Sequence, residues 1–449
     1  MSAYQPIGIS CVASYILDKI PGLEVRLLDF TVEKFSPGLY RKQLQDFRPG
    51  IVGISIITLN SAGGRQIAEL TREYDPAILT VVGGVHATMR PEECLSYGDI
   101  AVRGEGEETF YEIVQGKELG SIKGISYQKE GNIIRNAPRE RIENLDNLPF
   151  AAHHLFQMER YKAFPAWGIM ASRGCPFDCI FCCSPKMWGR IVKFRSSSSV
   201  VNEMEYLHRE FGVKHINFFD DAINVSQPWL IDVCEEIVRR GLHKEMSFSG
   251  MLRADKKLVS PELLQKLGET NFISVGLGIE SGSAGILKSI NKLLTLDDAR
   301  NAIKMIRNSD IKRLKGFFMV GNWDETMGDI FNTWRFVLSN NIQPAFSICT
   351  PFPGTRFYDL LKARGYMVND PDWSNFNQYT PIVRTNKMSK SGIFALFCFS
   401  ILLQLVFSFT RGRNAGHTAL KIVYHSLDVV KVSVARLTKP WHGATTLKL

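Results

Sequence analysis

Three cysteines, Cys175, Cys179 and Cys182, lie within eight residues of one another. Three thiols at this spacing can reach one metal centre, because the short loops between them need little ordering. A thiolate ligand is deprotonated and soft, so it prefers iron or zinc to hard cations. Three ligands, and not four, leave one position open for a substrate or cofactor. The spacing therefore predicts a soft-metal cluster with an open iron.

The composition is that of an ordinary folded protein. The chain has 449 residues, 45% hydrophobic and 22% charged, which is enough for two or three domains. The net charge is +9, but no run of Lys or Arg exceeds two residues, so no nucleic-acid partner is expected. Nine cysteines, four of them crowded at 175–183, favour a reducing compartment over a disulfide framework, and we expect a cytoplasmic protein. Residues 1–6 are short and polar, so no cleavable signal is expected.

The first third of the chain alternates buried-strand patterns with helices. This alternation predicts a doubly wound, flavodoxin-like parallel sheet in residues 1–142. Ligands bind such sheets beyond the carboxyl ends of the strands. Ser55, Thr58, Gly83 and Gly84 lie there, although tight turns and helix caps explain them equally simply. The predicted elements are helices at 7–20 and 62–74, strands at 24–29, 51–57, 79–82 and 99–102, and a hairpin at 130–132.

A second α/β unit follows an extended linker at 143–164. Six repeats of strand then helix in residues 165–385 predict an open (β/α)6 partial TIM barrel, with chemistry at the carboxyl ends of its strands. The first strand delivers the cysteines. The predicted strands are 167–172, 215–219, 246–249, 273–277, 315–320 and 345–350, and the helices are 200–211, 230–240, 261–267, 296–308 and 329–339.

Charged residues follow several of these barrel strands. Asp220 and Asp221 could receive an ammonium group or only begin the next helix. Gly278 belongs to a pair of alternating strand glycines, which implies that a group presses on the backbone, and Glu280 beyond it could hold amino or hydroxyl groups. Arg253 could reach a carboxylate across the barrel mouth or form a surface salt bridge.

The other cysteines and the histidine pair have no predicted chemistry. Cys183 points away from its neighbour Cys182 and is interpreted as a bystander. His153 and His154 are adjacent and cannot face one site on a helix, so we expect exposed or packing residues. The remaining cysteines are expected to be small apolar fillers: Cys11, Cys94, Cys234, Cys349 and Cys398.

Together these segments resemble the radical S-adenosylmethionine (SAM) superfamily, in the branch with an N-terminal cobalamin-binding domain. The resemblance covers nearly all of residues 1–385, and the three cysteines with Phe181 before the last of them carry it most strongly. It implies that the thiolates hold a [4Fe–4S] cluster whose open iron binds the amino and carboxylate groups of SAM. One electron then gives a 5′-deoxyadenosyl radical that abstracts hydrogen.

The resemblance also implies binding residues and shows two departures. The chain starts at the helix after the module's usual first strand, and it contains no Asp-x-His-x-x-Gly, so a histidine ligand on cobalt is not expected. The residues implied for SAM are Phe181, Phe219, Asp220, Asp221, Gly278, Glu280, Ser281 and Val320. Those implied for cobalamin are Ser55, Thr58, Gly83, Gly84, His86 and Gly104.

Residues 386–449 are expected to be helical, with an apolar helix at 393–409. This stretch has no charge for 17 residues, at the lower limit for a spanning helix. Ser400, Gln404 and Ser408 form a polar stripe on one face. The stripe favours a helix packed on the barrel or lying in a membrane interface over one that crosses the bilayer. An interfacial helix would suit a lipid substrate.

These features predict a radical SAM enzyme that uses cobalamin to methylate an unactivated carbon in a small molecule or lipid. Flavodoxin or ferredoxin would supply the electron, and peripheral membrane contact is an option. One alternative is radical cyclisation or rearrangement without methylation. A tRNA-modifying methylthiotransferase would need a second cysteine set and a small basic β-barrel, and a zinc scaffold would need a fourth ligand.

Overall fold

The computed structural model describes residues 4–367 and 372–410. The part of the predicted helical region beyond residue 410 therefore lies outside the described residues. The described chain forms two large sheets with helices packed on them, in the order predicted from the sequence, and a small two-stranded sheet.

The first sheet has the strand order β1-β2-β3-β4-β5. Its first three strands are parallel, and the last two form the predicted hairpin. The strands are β1 (Ile51–Ser55), β2 (Leu79–Gly83), β3 (Ile100–Val102), β4 (Ile125–Lys129) and β5 (Asn132–Arg135). The helices are α1 (Ile7–Lys19), α2 (Pro37–Phe47), α3 (Ser61–Tyr74), α4 (Val85–Met89), α5 (Pro91–Cys94) and α6 (Glu107–Val114).

The strand predicted at 24–29 is wrong, because this segment pairs with no described strand and runs as extended coil. Its apolar side chains are still used. Leu28 and Phe30 pack with Tyr40 and Leu44 of α2 against β1. An apolar alternation gives a strand only where a backbone ladder is available.

The second sheet has six parallel strands in the order β13-β12-β11-β10-β9-β6, which confirms the predicted open barrel. A two-stranded antiparallel pair, β7 with β8, brackets the cysteines. The strands are β6 (Ala166–Ile169), β7 (Ser172–Arg173), β8 (Lys193–Phe194), β9 (His215–Phe218), β10 (Ser247–Leu252), β11 (Phe272–Glu280), β12 (Arg313–Val320) and β13 (Gln343–Ile348). The helices are α7 (Ser184–Trp188), α8 (Ser197–Phe211), α9 (Gln227–Arg239), α10 (Pro261–Glu269), α11 (Ala284–Ser289), α12 (Leu296–Arg307), α13 (Met327–Ser339), α14 (Arg356–Ala363) and α15 (Lys390–Thr410).

The segment between the two sheets is packed on the barrel and is not a free linker. Phe156, Met158 and Tyr161 belong to the barrel core beside Trp167. His153 is fully buried and bonded to Glu203 and Trp167. His154 is exposed, so one histidine packs and its neighbour faces solvent, as expected.

Helix α15 lies along the free edge of β13, with its polar stripe turned inward. Gln404 Oε1 accepts a hydrogen bond from the Phe346 backbone N–H (3.1 Å), and Ser400 Oγ accepts one from Trp334 Nε1 (2.9 Å). By length and composition alone this helix could cross a membrane. Its hydrogen bonds to the barrel pack one face of the helix on the barrel, which is one of the two positions that the sequence favours.

Candidate functional site

The cysteine loop begins directly after β7 and is held by the rim of the barrel. The Ile180 N–H donates to Ile290 O (3.1 Å), and Phe357 N–H donates to Ile180 O (2.9 Å). Asn291 Nδ2 donates to Asp178 O (2.7 Å). The loop is therefore fixed by segments that follow β11 and β13, which lie far from it in sequence.

The three thiols are gathered on this loop in a partly enclosed setting. Cys179 is buried, whereas Cys175 and Cys182 are half-buried. Burial raises the pKa of the Cys175 and Cys182 thiols. Arg253 Nη1 lies 3.9 Å from Cys179 Sγ, and the Ser184 N–H donates to Cys182 Sγ (3.4 Å).

These donors fit an iron–sulfur cluster by their chemistry. A cation and a backbone N–H directed at sulfur stabilise thiolates, which cluster ligation requires. Within residues 4–367 and 372–410, no three Cys, His, Asp or Glu side chains already stand at metal-binding geometry. The residues that would hold the cluster are Cys175, Cys179 and Cys182, which lie on one loop. Cys183 is half-buried at the N-cap of α7, and its interpretation as a bystander stays a prediction.

The two aspartates after β9 have different surroundings. Asp220 is buried and accepts hydrogen bonds from Ser172 Oγ and the Ala171 N–H, so it joins β9 to the chain that enters the cysteine loop. Burial raises the pKa of Asp220 to about 6. Asp221 is solvent-accessible and accepts from Ser184 Oγ (2.6 Å) beside the cysteines. Of the pair, Asp221 is the one available to a ligand.

Glu280 ends β11 in a strained backbone conformation. Its φ is +72°, and a bulge lies between Gly278 and Glu280 in the pairing with β12. Its carboxylate forms a buried ion pair with Lys292 (2.9 Å). A Cβ at Gly278 would lie 2.9 Å from that carboxylate and 3.1 Å from the ammonium, so the glycine makes room for the pair. Left-handed non-glycine residues cluster at functional sites.

The remaining residues implied for SAM are mostly packed. Phe181 packs partly buried against the barrel core, and Phe219 covers Gly168 on β6. Ser281 is fully buried 3.2 Å from Thr333 Oγ1, and Val320 is buried at the end of β12. Ser281 and Val320 are therefore packed inside the rim, and their implied contact with SAM stays a prediction.

The first-sheet edge comprises the last residues of β1, β2 and β3 and the segments that follow them, at residues 55–58, 83–88 and 102–105. Gly84 has a φ of +94°, and a Cβ there would lie 2.5 Å from the Ile56 carbonyl oxygen. His86 is fully buried, with Nδ1 3.2 Å from Thr58 Oγ1 and Nε2 3.5 Å from Glu93 Oε1. These contacts give Gly84, Thr58 and His86 a packing role, and their implied contact with cobalamin stays a prediction.

Other residues of this edge remain accessible. Ser55 is exposed, Gly83 is half-buried, and Gly104 has a φ of +79° with open space above its Cα. Ile57 and Leu59 are 53% and 40% exposed, which is unusual for large apolar side chains. An accessible edge with small residues and uncovered apolar groups fits a large, partly apolar cofactor.

Trp373 and Arg173 join the two halves of the chain, and sequence reasoning missed both. Trp373 Nε1 donates to Glu93 Oε1 (2.6 Å), and its ring meets His86 edge-on. Burial would raise the pKa of Glu93, but His86 and Trp373 lower it. Arg173, directly before the cysteine loop, pairs with acids that follow β3. Those acids, in the run Arg-Gly-Glu-Gly-Glu at 103–107, were the available signal.

Comparisons with known proteins agree with this geometry. Residues 2–114 match the B12 binding domain, and residues 169–337 match the Radical SAM superfamily. An uncharacterized methyltransferase of Pyrococcus horikoshii is 31% identical over 399 residues, covering 86% of this chain and 85% of the relative. The anaerobic magnesium-protoporphyrin IX monomethyl ester cyclase of Rubrivivax gelatinosus is 27% identical and covers 86% of this chain and 71% of the relative.

The fold is also similar to a solved structure of the cobalamin-dependent S-adenosylmethionine radical enzyme OxsB. That likeness has a TM-score of 0.76 at 16% identity and covers 95% of this chain and 69% of the other. The chain belongs to the radical SAM enzymes that carry an N-terminal B12-binding domain. This confirms the predicted family, fold class and cofactors, and it decides against the zinc scaffold.

Proposed function

We propose that this chain methylates an unactivated carbon of a small-molecule substrate by radical chemistry. The observation that carries the proposal is that the cysteine loop and the first-sheet edge meet at one interface, through Arg173 and the acids after β3. A hydrogen-abstracting centre and a methyl donor must both reach one carbon, which requires such proximity. The methyltransferase of Pyrococcus horikoshii supports the same reaction class.

The chain's own residues have distinct roles in this proposal. Cys175, Cys179 and Cys182 hold the cluster, and Arg253 stabilises the charge on the Cys179 sulfur. When bound, the cluster with SAM supplies a hydrogen-abstracting adenosyl radical and cobalamin supplies a methyl group. Asp221 lies where it can accept the ammonium group of SAM.

A second group of residues orients ligands at the rim. Glu280 and Lys292 present a fixed pair of charges beside the cysteine loop, because the Ile290 carbonyl and the Asn291 side chain are bonded to that loop. Phe219 narrows the barrel on the opposite side by covering Gly168. Ser55, Gly83 and Gly104 leave room for cobalamin at the first-sheet edge. The barrel excludes water from the radical through its packed walls.

Product analysis tests methylation. Reconstituted enzyme is incubated anaerobically with CD3-labelled SAM, cobalamin, a reductant and a metabolite extract from cells that lack the gene. Methylation yields 5′-deoxyadenosine together with S-adenosylhomocysteine and a metabolite that carries CD3. Formation of 5′-deoxyadenosine without S-adenosylhomocysteine would reject methylation and favour radical cyclisation, the reaction class named for the Rubrivivax gelatinosus relative.

We also propose a cytoplasmic location and a flavodoxin or ferredoxin as electron donor. All nine cysteines are free thiols, which fits a reducing compartment. SAM cleavage consumes one electron that the chain itself does not generate. Replacing a chemical reductant with reduced flavodoxin should sustain 5′-deoxyadenosine formation, and failure of both flavodoxin and ferredoxin would reject these donors.

Peripheral membrane contact is proposed for the outer face of α15. Phe399, Leu402 and Val406 are 62%, 55% and 56% exposed, and Phe331 on α13 extends this apolar face. A membrane surface would cover it and would bring a lipid substrate to the barrel. Cosedimentation with anionic vesicles should be lost in the double variant L402D/V406D. Equal sedimentation of both proteins would reject the contact.

A further inference from the structure

An ion triad joins the loop after β3 to the residue that precedes the cysteine loop. Arg173 Nη1 donates to Glu105 Oε1 (2.7 Å), and Arg173 Nη2 donates to Glu107 Oε1 (2.6 Å). The three side chains are only 7%, 5% and 4% exposed. The two terminal nitrogens of the Arg173 guanidinium therefore donate to two different carboxylates inside the interface between the two domains.

Three further hydrogen bonds to backbone atoms extend the network around the triad. The second oxygen of Glu105 accepts a hydrogen bond from the Ile142 N–H (2.8 Å). Arg141 Nη2 donates to the carbonyl oxygen of Arg173 (2.9 Å), and its Nη1 donates to Ile191 O. Both chain segments at the base of the cysteine loop are thus held by the same group of residues.

The charges make this arrangement hard to replace. Two buried carboxylates share one cation, so loss of Arg173 would leave two buried negative charges without a partner. A lysine keeps the charge but lacks the planar two-sided donor set.

The ends of the triad lie next to the two cofactor regions. Glu105 directly follows Gly104, an accessible residue of the first-sheet edge, and Arg173 is separated from Cys175 by one residue. A shift of the loop after β3 would therefore act on Arg173, because its two terminal nitrogens are bonded to carboxylates at Glu105 and Glu107. Packed interfaces of this kind transmit displacement instead of damping it.

We propose that Arg173, Glu105 and Glu107 are positioning residues that couple cobalamin binding at the first-sheet edge to the geometry of the cluster loop. The coupling is independent of which substrate is methylated and would operate equally in a cyclase. By linkage, the cluster must then change the affinity for cobalamin by the same factor as cobalamin changes the affinity for the cluster.

The test compares Glu107→Gln with Glu108→Gln in full-length protein. Glu108 lies on the same helix and pairs with Arg139 (3.2 Å) away from the cysteine loop, so it is a matched control. The dissociation constant of hydroxocobalamin is measured by absorption for cluster-loaded and cluster-free protein. We expect the two constants to differ by about fivefold or more in the wild type and in E108Q, and to be equal in E107Q.

Spectra of the reduced cluster give a second readout. Adding hydroxocobalamin should change the EPR line shape in the wild type and in E108Q but not in E107Q. If E107Q does not fold by circular dichroism, R173K decides, with the same expected loss. The proposal is overturned if the wild-type constants are equal, or if E107Q (or R173K in its place) keeps the wild-type ratio and the wild-type spectral change.

Discussion

Glu325 is a buried side chain that should make the free energy of unfolding depend on pH. It is fully buried after β12, where its Oε2 accepts hydrogen bonds from the Gly321 N–H (2.6 Å) and the Asn322 N–H (3.2 Å). Its Oε1 has no partner among the described residues. Burial raises the pKa of Glu325 from 4.5 to about 8. The protonated carboxyl is therefore the form that the fold accommodates.

Replacing this carboxyl by an amide should remove the pH dependence. A raised folded pKa stabilises the native state fully below pH 4.5, and that stabilisation is lost as the pH rises through about 8. Between pH 5 and 9 we expect the wild type to lose on the order of 4 kcal/mol more unfolding free energy than Glu325→Gln. Denaturant unfolding at several pH values measures this difference. The exposed substitution Glu262→Gln on α10 should follow the wild-type profile, and a parallel profile for E325Q would contradict the assignment.

Single substitutions should distinguish the three predicted ligand cysteines from their neighbour Cys183. Cys175→Ala, Cys179→Ala and Cys182→Ala should each reduce bound iron from roughly four per chain to a small fraction, because three thiolates hold the cluster. Iron analysis and absorption after anaerobic reconstitution measure this. Cys183→Ala is the neighbouring control and should retain the iron. Iron loss in C183A with retention in C182A would reverse the ligand assignment.

At the scale of elements, α15 covers the free edge of the barrel and accepts a hydrogen bond from a backbone N–H of the last strand, β13. The Phe346 N–H points out of the sheet and has Gln404 as its acceptor. Gln404→Leu should lower the unfolding free energy by about 1–3 kcal/mol, because a buried donor loses its partner. Leu402→Gln, on the outer face of the same helix, should change it by less than about 0.5 kcal/mol. Denaturant unfolding compares the two, and equal effects would show that the hydrogen bond is not the stabilising contact.

The elements themselves followed from the sequence to a large extent. Apolar runs alternating with amphipathic helices predicted all six barrel strands, and the spacing of Ser400, Gln404 and Ser408 predicted that they share one face of α15. The segment at 24–29 failed, because its strand pattern has no neighbouring backbone to pair with. The apolar pattern of a segment indicates which side chains it can bury, but it does not indicate whether another strand lies beside it to pair with.

The site was less predictable than the fold. The three cysteines are close in sequence, so their spacing alone was enough to predict them as cluster ligands. Arg173 pairs with Glu107, 66 residues earlier, and Lys292 pairs with Glu280 through a bulge that no periodicity indicates. The ligand contacts implied for His86 and Asp220 stay predictions, and the internal partners of both residues are distant in sequence and could not be read from it.

At the scale of the whole molecule, the first domain and the barrel share hydrogen bonds across their interface. Trp373→Phe removes the donor to Glu93 while keeping most of the ring packing. We expect hydrogen–deuterium exchange to increase in residues 85–94 of the first domain, although the change lies in the other half, with a loss of about 1–2 kcal/mol. Trp334→Phe should instead increase exchange in α15, where Ser400 is its partner. Unchanged exchange at 85–94 in W373F would mean that the contact does not join the two halves.

The covering of β13 by α15 has a consequence for synthesis. The ribosome releases β13 before it releases the helix that covers its edge, so every nascent chain passes through a stage with an open, hydrogen-bonding strand. Such an edge recruits strands from other molecules. Expression of a chain that stops before residue 390 should therefore yield insoluble protein, and slower translation between 350 and 390 should increase the demand for chaperones.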